Sequence, residues 1–244
     1  MKRYIALIAS LVLVTAGIFS GCSDKKDSGN SYAEKFFGNS TSENAEDPTE
    51  SGDSADNSEQ TEPTTEEEYK LVYSHTADPD AVPESGAAPV LTLSNTSGNP
   101  GETVAVTLSI SGANEKWSMC GVHFSYSDTL ECIIEQDKIP KYEPGPAVSA
   151  LSSIASVWKE NLTDKMKEEG LYSAFFACMG FDDGGLDGDM ATFYFTIPDD
   201  AESGTVYPLE FFEIEGDMFS DQSSDDKLQA YAFSHWQNGS ITVN

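Results

Sequence analysis

The sequence predicts an antiparallel β-sandwich that begins near Pro89 and continues to the end of the 244-residue chain. Residues 103–110 alternate between Val, Leu or Ile and small or polar side chains, which is the pattern of a strand with one buried face. Further short apolar segments follow at intervals of roughly 8 to 12 residues and are separated by turn residues. A domain of this length can build one hydrophobic core between two sheets.

Seven or eight strands are predicted from the segments with this pattern. The first strand, at residues 90–93, precedes a turn at residues 98–102 that contains Pro100 and Gly101. The other predicted strands lie at residues 103–110, 119–126, 130–136, 171–179, 190–197, 207–214 and 240–243.

Residues 146–170 interrupt the strand pattern and allow two interpretations. In the first, a helix would place on one face the apolar residues spaced by three or four positions, namely Leu151, Ile154, Trp158, Leu162 and Met166. In the second, a strand near residues 154–158 is followed by a short helix. Gly170 is a suitable residue for the end of the helix. The sequence leaves both interpretations open.

The N-terminal residues predict the location of the protein. Two basic residues after Met1 precede an apolar run at residues 4–19, which has the length of a signal peptide and is short for a membrane span. The run ends in Phe19-Ser20-Gly21-Cys22, which resembles the bacterial lipobox, with Phe19 where Leu is usual. The resemblance implies a lipoprotein signal peptide at residues 1–21 and a lipid on Cys22 that anchors the protein at the extracellular face of the cell membrane. An ordinary signal peptide with an incidental Cys22 is the alternative.

Residues 22–88 are predicted to form a disordered acidic linker. From Ser23 to Ala88 the sequence has 17 Asp or Glu and four Lys, together with many Ser, Thr, Asn, Gly and Pro. Such a segment buries too little apolar surface to offset its ordering entropy, and its charges repel one another. Residues 69–73 are an apolar exception, either an extra strand laid on the domain or a linker segment with transient contacts.

Charge excludes several classes of partner. The formal net charge of −29 argues against binding to nucleic acid, whose phosphates require Lys and Arg. It also argues against electrostatic docking on anionic lipids. Contact with the membrane is therefore expected through the N-terminal lipid alone.

Residue spacing argues against a metal site, a cofactor and enzymatic activity. The acidic segment at residues 182–189 lacks the alternating ligand positions of an EF-hand and predicts a Gly-rich turn. His75, His123 and His235 are far apart and have no nearby partner at ligand spacing. No nucleophile elbow, phosphate-binding loop or metalloprotease motif is present.

The cysteines are predicted to be buried thiols. Besides Cys22 the sequence has Cys120, Cys132 and Cys178, whose spacing matches no zinc pattern. Three cysteines leave at least one unpaired, so a disulfide framework is not expected.

A series of segments spans the domain in a fixed order. They are Leu91-Thr92-Leu93, Gly98-Asn99-Pro100-Gly101-Glu102, Met119-Cys120-Gly121-Val122-His123-Phe124-Ser125-Tyr126, Leu130-Glu131-Cys132-Ile133-Ile134, Ala174-Phe175-Phe176-Ala177, Gly188-Asp189-Met190-Ala191-Thr192-Phe193-Tyr194-Phe195, Tyr207-Pro208-Leu209-Glu210-Phe211 and Asn238-Gly239-Ser240-Ile241-Thr242-Val243. In order and spacing, residues 89–244 resemble a cohesin, the module that binds dockerins in cellulosome assemblies. The resemblance is weakest at residues 146–170.

The resemblance implies a nine-stranded antiparallel β-sandwich of jelly-roll topology. It also implies that a dockerin binds to one sheet face, formed largely by strands three, five, six and eight of the family. Residues 119–126 resemble the family's third strand, residues 174–177 its sixth and residues 207–211 its eighth. The expected partners are dockerin-bearing proteins, either polysaccharide-degrading enzymes or scaffold subunits, and the calcium belongs to the dockerin. The protein would tether these partners to the bacterial surface.

Strand alternation assigns side chains to the two faces. On strand three Cys120, Val122, Phe124 and Tyr126 are expected to point into the core, and on strand six Cys178 does so beside Cys120. Whether these two thiols form a disulfide stays open. The predicted dockerin-binding residues point outward on strands three and six or are assigned to strand eight by analogy with the family: Met119, Gly121, His123, Ser173, Phe175, Ala177, Phe211 and Glu213. Phe175, an aromatic side chain among small ones, is the expected interface anchor.

Two other interpretations use the same architecture. Carbohydrate-binding modules are also β-sandwiches and stack sugars on exposed aromatic rings, for which Trp117, Trp158 and Trp236 are the candidates. An Ig-like spacer domain without a ligand is the second alternative.

Overall fold

The computed structural model describes residues 69–72, 77–78, 80–160 and 162–244. The predicted signal peptide, the lipobox and most of the predicted linker lie outside these residues. The strands are β1 (Val90–Leu93), β2 (Asn95–Gly98), β3 (Thr103–Ser111), β4 (Met119–Ser127), β5 (Glu131–Cys132), β6 (Ile134–Gln136), β7 (Ile139–Pro140), β8 (Tyr142–Pro144), β9 (Ser152–Trp158), β10 (Leu171–Met179), β11 (Gly188–Thr196), β12 (Val206–Phe212), β13 (Met218–Ser220) and β14 (Gly239–Val243).

Two sheets form the predicted all-β sandwich. One sheet has the order β1-β3-β11-β5, with β8 also paired to β11. The other has the order β2-β14-β12-β4-β10-β9, with β13 also paired to β4. Strand β14 pairs with β2 in parallel, whereas the other ladders are antiparallel. This sheet order places β12, β4, β10 and β9 side by side.

The core lies between the two sheets and is rich in aromatic side chains. Phe124 of β4 packs edge-on against Phe193 of β11, with ring centroids 5.3 Å apart. Tyr126 makes the same kind of contact with Phe195 at 5.1 Å. All four side chains are fully buried, and each such contact contributes beyond the area that it buries. Alternation along β4 and β11 therefore fixes how the sheets face each other.

The turn that leads into β3 has the predicted geometry. Pro100 and Gly101 occupy its central positions, and the Glu102 backbone N–H donates to the Asn99 carbonyl at 3.0 Å. Gly101 has a φ of 77°. A type II turn requires a positive φ at this position, which glycine adopts without a steric penalty.

Residues 146–170 take the second of the two predicted forms. A short 3₁₀ turn, Pro146–Val148, precedes strand β9, and a helix of one turn follows at Asp164–Glu168. The Thr163 hydroxyl caps this helix by accepting from the Met166 N–H. Gly170, with a φ of 65°, follows the helix end as predicted.

A second helix, Asp226–Ser234, was not predicted from the sequence. Its N-cap, Asp225, accepts a hydrogen bond from the Lys227 N–H at 3.0 Å, and Leu228 and Ala232 are buried against the core. The Asp residues before a Leu-Ala segment were the available signal. Within the described part of the chain, no helix is long and apolar enough to cross a bilayer.

Contacts with the sandwich begin before Pro89. Ala87 is buried in the core, and the Ala88 N–H donates to the Gly112 carbonyl at 2.8 Å. Residues 69–72 also lie on the sandwich, which is one of the two alternatives that the sequence left open for this apolar segment.

The three described cysteines are free thiols in the core, as predicted. Cys120 and Cys178 are directly opposite each other on β4 and β10, and Cys132 lies on β5. Burial raises the pKa of all three, to about 12 for Cys132 and Cys178. Thiolates are therefore disfavoured at neutral pH, and the thiols should be unreactive in the folded domain.

We expect thiol labelling to distinguish folded from unfolded protein. In a full-length Cys22→Ser variant, a maleimide should label no cysteine of the native chain on a timescale that labels Cys120, Cys132 and Cys178 in denaturant. Mass spectrometry of the peptides would identify the sites. Fast labelling in the native state would contradict the burial, and labelling of Cys132 alone after denaturation would show a Cys120–Cys178 disulfide.

Candidate protein-binding face

The sheet β12-β4-β10-β9 has a second face that points away from the core. We call this the outer face. On β4 and β10 it consists of four pairs of directly opposed residues: Met119 with Met179, Gly121 with Ala177, His123 with Phe175, and Ser125 with Ser173. Strand β9 extends it with Ile154 and Ser156, which are opposite Ala177 and Phe175. Gly121, Ala177, Ser125 and Ser173 are small, whereas Met119, Met179 and Phe175 are larger and apolar.

Six of the eight predicted binding residues meet on this face: Met119, Gly121, His123, Ser173, Phe175 and Ala177. Their core-facing neighbours on the same strands are buried as expected, and Val122 and Phe176 are almost fully so. The register assumed from the sequence for these two strands is therefore right.

Phe211 is not on the outer face, so its prediction was wrong. It is opposite Phe124, a core residue, and only 6% exposed. Its ring stacks on Trp236 with centroids 5.4 Å apart and an angle of 19° between the planes. Phe212 points outward instead and is opposite His123.

Glu213 lies just beyond the end of β12, in a turn that returns to β13 through Asp217. The Asp217 carboxylate accepts from the Ile214 N–H at 3.1 Å and fixes this turn. Glu213 is 8% exposed. Burial and the nearby Asp217 carboxylate raise the pKa of Glu213 to about 8. At neutral pH its protonated form is therefore favoured.

A buried hydrogen bond between His123 and Asp217 lies in the half of the outer face that contains His123, Phe175 and Ser173, which we call the lower half. His123 Nδ1 is 2.7 Å from an Asp217 carboxylate oxygen, and both side chains are more than 90% buried. Burial raises the pKa of Asp217, while its hydrogen bonds to His123 and to the Ile214 N–H act in the opposite direction. The pair holds the imidazole in one orientation. It could not be predicted from the sequence, because Asp217 is 94 residues from His123.

Aromatic rings surround this imidazole. Phe175 lies at a centroid distance of 4.5 Å and Phe212 at 5.6 Å. Phe175 points away from the core and is half-buried rather than fully exposed. His123 supports one side of this ring.

Residues 69–72 cover this lower half, and we call them the strap. The Tyr69 ring packs edge-on against His123 at 5.4 Å and contacts Phe212 at 6.3 Å. Its hydroxyl lies 3.4 Å from the Ser173 hydroxyl. Leu71 forms an antiparallel bridge with Ile214. The upper half, with Met119, Met179 and the 43% exposed Ile154, has no such cover among the described residues.

The acidic turn at residues 182–189 satisfies backbone groups of neighbouring loops. Asp187 accepts from the N–H groups of Gly112 and Ala113, at 3.0 and 2.9 Å. Asp183 accepts from the Gln222 N–H at 2.8 Å. Among the described residues, no group of three or more His, Cys, Asp or Glu side chains is arranged to hold a metal ion.

The three tryptophans do not form a common platform. Trp117 is fully buried against Phe219, and its ring leaves no room for a side chain at Gly185. Trp158 is covered on one side by the Lys138 ammonium, 4.6 Å from the ring centroid. Trp236 stacks on Phe211. This geometry gives no support to sugar stacking on these rings.

The Glu213 carboxyl should make stability depend on pH. Its folded pKa of about 8 exceeds its ordinary value of 4.5, so the folded chain binds this proton more tightly than the unfolded chain. The contribution of this group to the free energy of unfolding is therefore largest below about pH 4.5 and falls as the pH rises to about 8.

Glu213→Gln should remove this fall, because Gln resembles the protonated carboxyl. We expect its Tm to exceed that of the parent by several degrees at pH 9 and to match it at pH 4, measured by calorimetry. Glu215→Gln, at an exposed neighbouring position, is the control. A Tm difference between Glu213→Gln and the parent that stays constant from pH 4 to pH 9 would contradict the raised pKa of Glu213.

No protein-family model and no curated protein matches this sequence. Among solved structures, the chain is similar to a type III cohesin module from the cellulosomal ScaE cell-surface anchoring scaffoldin of Ruminococcus flavefaciens. The two are 22% identical with a TM-score of 0.57, and the match covers 73% of this chain and 98% of that module.

Two further structures are more distant. A type I cohesin in the Coh-OlpC–Doc435 complex from Clostridium thermocellum is 14% identical with a TM-score of 0.46, over 71% of this chain and 99% of the other. A non-cellulosomal cohesin from the archaeon Archaeoglobus fulgidus is 14% identical with a TM-score of 0.44, over 65% and 92%. On the sheet order and the match to the type III module, the described domain has the cohesin fold.

Proposed function

We propose that this protein binds dockerin modules through its outer face and tethers the proteins that carry them to the bacterial surface. The observation that carries the proposal is the face itself. It brings six residues from β4 and β10 together on one side of the sheet, with Phe175 between the small residues Ser173 and Ala177 on β10. Fully desolvated aromatic anchors surrounded by small residues are typical of protein interfaces.

The occupant is proposed to be a protein surface rather than a small molecule. The face is the side of a sheet, extending from Ile154 on β9 to Phe212 on β12, whereas sites for small ligands are clefts or cavities. A dockerin is the partner that the cohesin fold suggests, and it would contribute its own calcium. The role is binding without catalysis.

The location is proposed from the N-terminal sequence. Lipidation of Cys22 would hold the chain at the extracellular face of the cell membrane, with the acidic linker between the lipid and the domain. The described residues contain one outer face of this kind. Stronger attachment of a multivalent partner would therefore come from the density of chains in the membrane.

Dockerin binding should depend on Phe175. We expect Phe175→Ala to weaken binding by roughly 30-fold, the effect of losing a central anchor worth about 2 kcal/mol. Tyr194→Ala, which removes an aromatic ring from the other sheet, should leave affinity unchanged. The measurement is calorimetric titration with dockerin modules recovered by pull-down from proteins secreted by the source bacterium.

Circular dichroism and Tm of both variants would show whether each is folded. A folded Phe175→Ala variant with parental affinity would exclude this face as the dockerin site. Recovery of no dockerin-bearing protein in the pull-down, together with retention of the chain on insoluble polysaccharide, would favour carbohydrate binding.

Membrane attachment should depend on Cys22. A Cys22→Ala variant expressed in the source bacterium should lose its lipid and leave the membrane fraction, either as an uncleaved precursor or as a secreted protein. Fractionation followed by immunoblotting measures this. Membrane association equal to that of the parent would contradict lipid anchoring at this residue.

A further inference from the structure

We infer that the strap is a reversible lid: it occupies a peptide-docking site on the lower half of the outer face and competes there with the partner. The inference rests on the proposed function for the identity of that partner. It concerns a different property of the same face, namely how much of it is accessible.

The strap binds as an added strand through its backbone. The Val72 N–H donates to the Glu213 carbonyl at 3.0 Å, and the Glu215 N–H donates to the Lys70 carbonyl at 2.9 Å. These two bonds flank Leu71 and Ile214, which form a non-hydrogen-bonded antiparallel pair. Residues 213–215 thus offer one donor and one acceptor to an extended peptide, as in recognition by strand addition.

Side chains complete the docking site. The Tyr69 ring lies against His123 and Phe212 and near the Ser173 hydroxyl, so it covers three outward-pointing positions on β4, β12 and β10. Burial raises the pKa of the Tyr69 phenol to about 12, and the neutral phenol therefore persists across the physiological pH range. A partner that contacts His123 or Ser173 would have to displace this ring.

Among the described residues, a small set of interactions holds the closed form. Two backbone hydrogen bonds, one side-chain hydrogen bond and the ring contacts act against the entropy of ordering four residues. The exposed Lys70–Glu215 pair at 3.8 Å adds little. These terms are of similar size, so the strap should open without unfolding of the sandwich.

Competition lowers the apparent affinity of the partner by the fraction of chains that are open. A strap that is closed in about nine chains of ten would weaken binding roughly tenfold. Removing the strap contacts should therefore increase the affinity for the partner about tenfold. Locking the strap in the closed form should abolish binding to the lower half of the face.

The lock is a Leu71→Cys/Ile214→Cys pair in a full-length Cys22→Ser chain. Non-hydrogen-bonded antiparallel pairs bring their Cα atoms to about 4.5 Å, within the range that a disulfide spans. Val206→Cys/Thr242→Cys is the matched control, because it occupies an equivalent pair between β12 and β14 at the other end of the sheet. The native thiols are buried and should not interfere.

Dockerin affinity is measured for each chain in oxidised and reduced form. The oxidised lock should bind at least tenfold more weakly than its reduced form, and the control pair should show no redox effect. A Tyr69→Ala/Leu71→Ala chain should bind about tenfold more tightly than the parent. Equal affinity of the oxidised and reduced lock would overturn the competition.

A second measurement needs no partner. Diethyl pyrocarbonate should modify His123 faster in Tyr69→Ala/Leu71→Ala than in the parent, and more slowly in the oxidised lock, with His235 as the internal reference in peptide mass spectra. Equal rates at His123 in all three would show that the strap is not a lid. If these rates differ as expected while no dockerin binds any chain, the proposed function is wrong, but the opening and closing of the strap over His123 is supported.

Discussion

The nine-residue pairing of β4 with β10 is the constraint on which the rest of the structure depends. It places Val122 and Phe176 on the core side and His123 and Phe175 on the outer side in one register. Because side chains alternate along a strand, a slip of one residue would exchange the core-facing and outward-facing side chains of that strand. The Phe124–Phe193 contact across the sandwich shows which face of β4 is turned to the core.

Much of the fold could be predicted because its information is local. Strands β3, β4, β10 and β11 each carry an alternating or apolar run between turn residues, and the structure places them within a few residues of the predicted bounds. The Pro100-Gly101 turn could be predicted for the same reason. Residues 146–170 were ambiguous because apolar spacing at Ile154 and Trp158 satisfies a helix and a strand equally in one sequence, and only pairing with β10 decides between them.

Strand alternation was enough to predict which side chains of β4 and β10 lie on the outer face. It was not enough where contacts with residues far away in the sequence determine the position of a side chain. On β12 both Phe211 and Phe212 are large and apolar, so the pattern does not say which of them faces the core. The choice is made by Trp236, which stacks on Phe211 from a segment that follows the second helix. The His123–Asp217 pair was missed for the same reason, and the position of the strap stayed one of two alternatives, because each contact joins segments far apart in the sequence.

The strap also determines how the domain would respond to mechanical load. With the chain held at its N-terminal side, as proposed, tension along the linker reaches the backbone bonds of Lys70 and Val72 before it reaches any strand of the sandwich. Two hydrogen bonds outside the main ladders resist far less force than the β4–β10 ladder. A pull between the membrane and a bound partner would therefore detach the strap first, add its four residues to the tether and leave the sandwich intact. The attachment would yield under load before it broke, with the outer face more exposed while it was stretched.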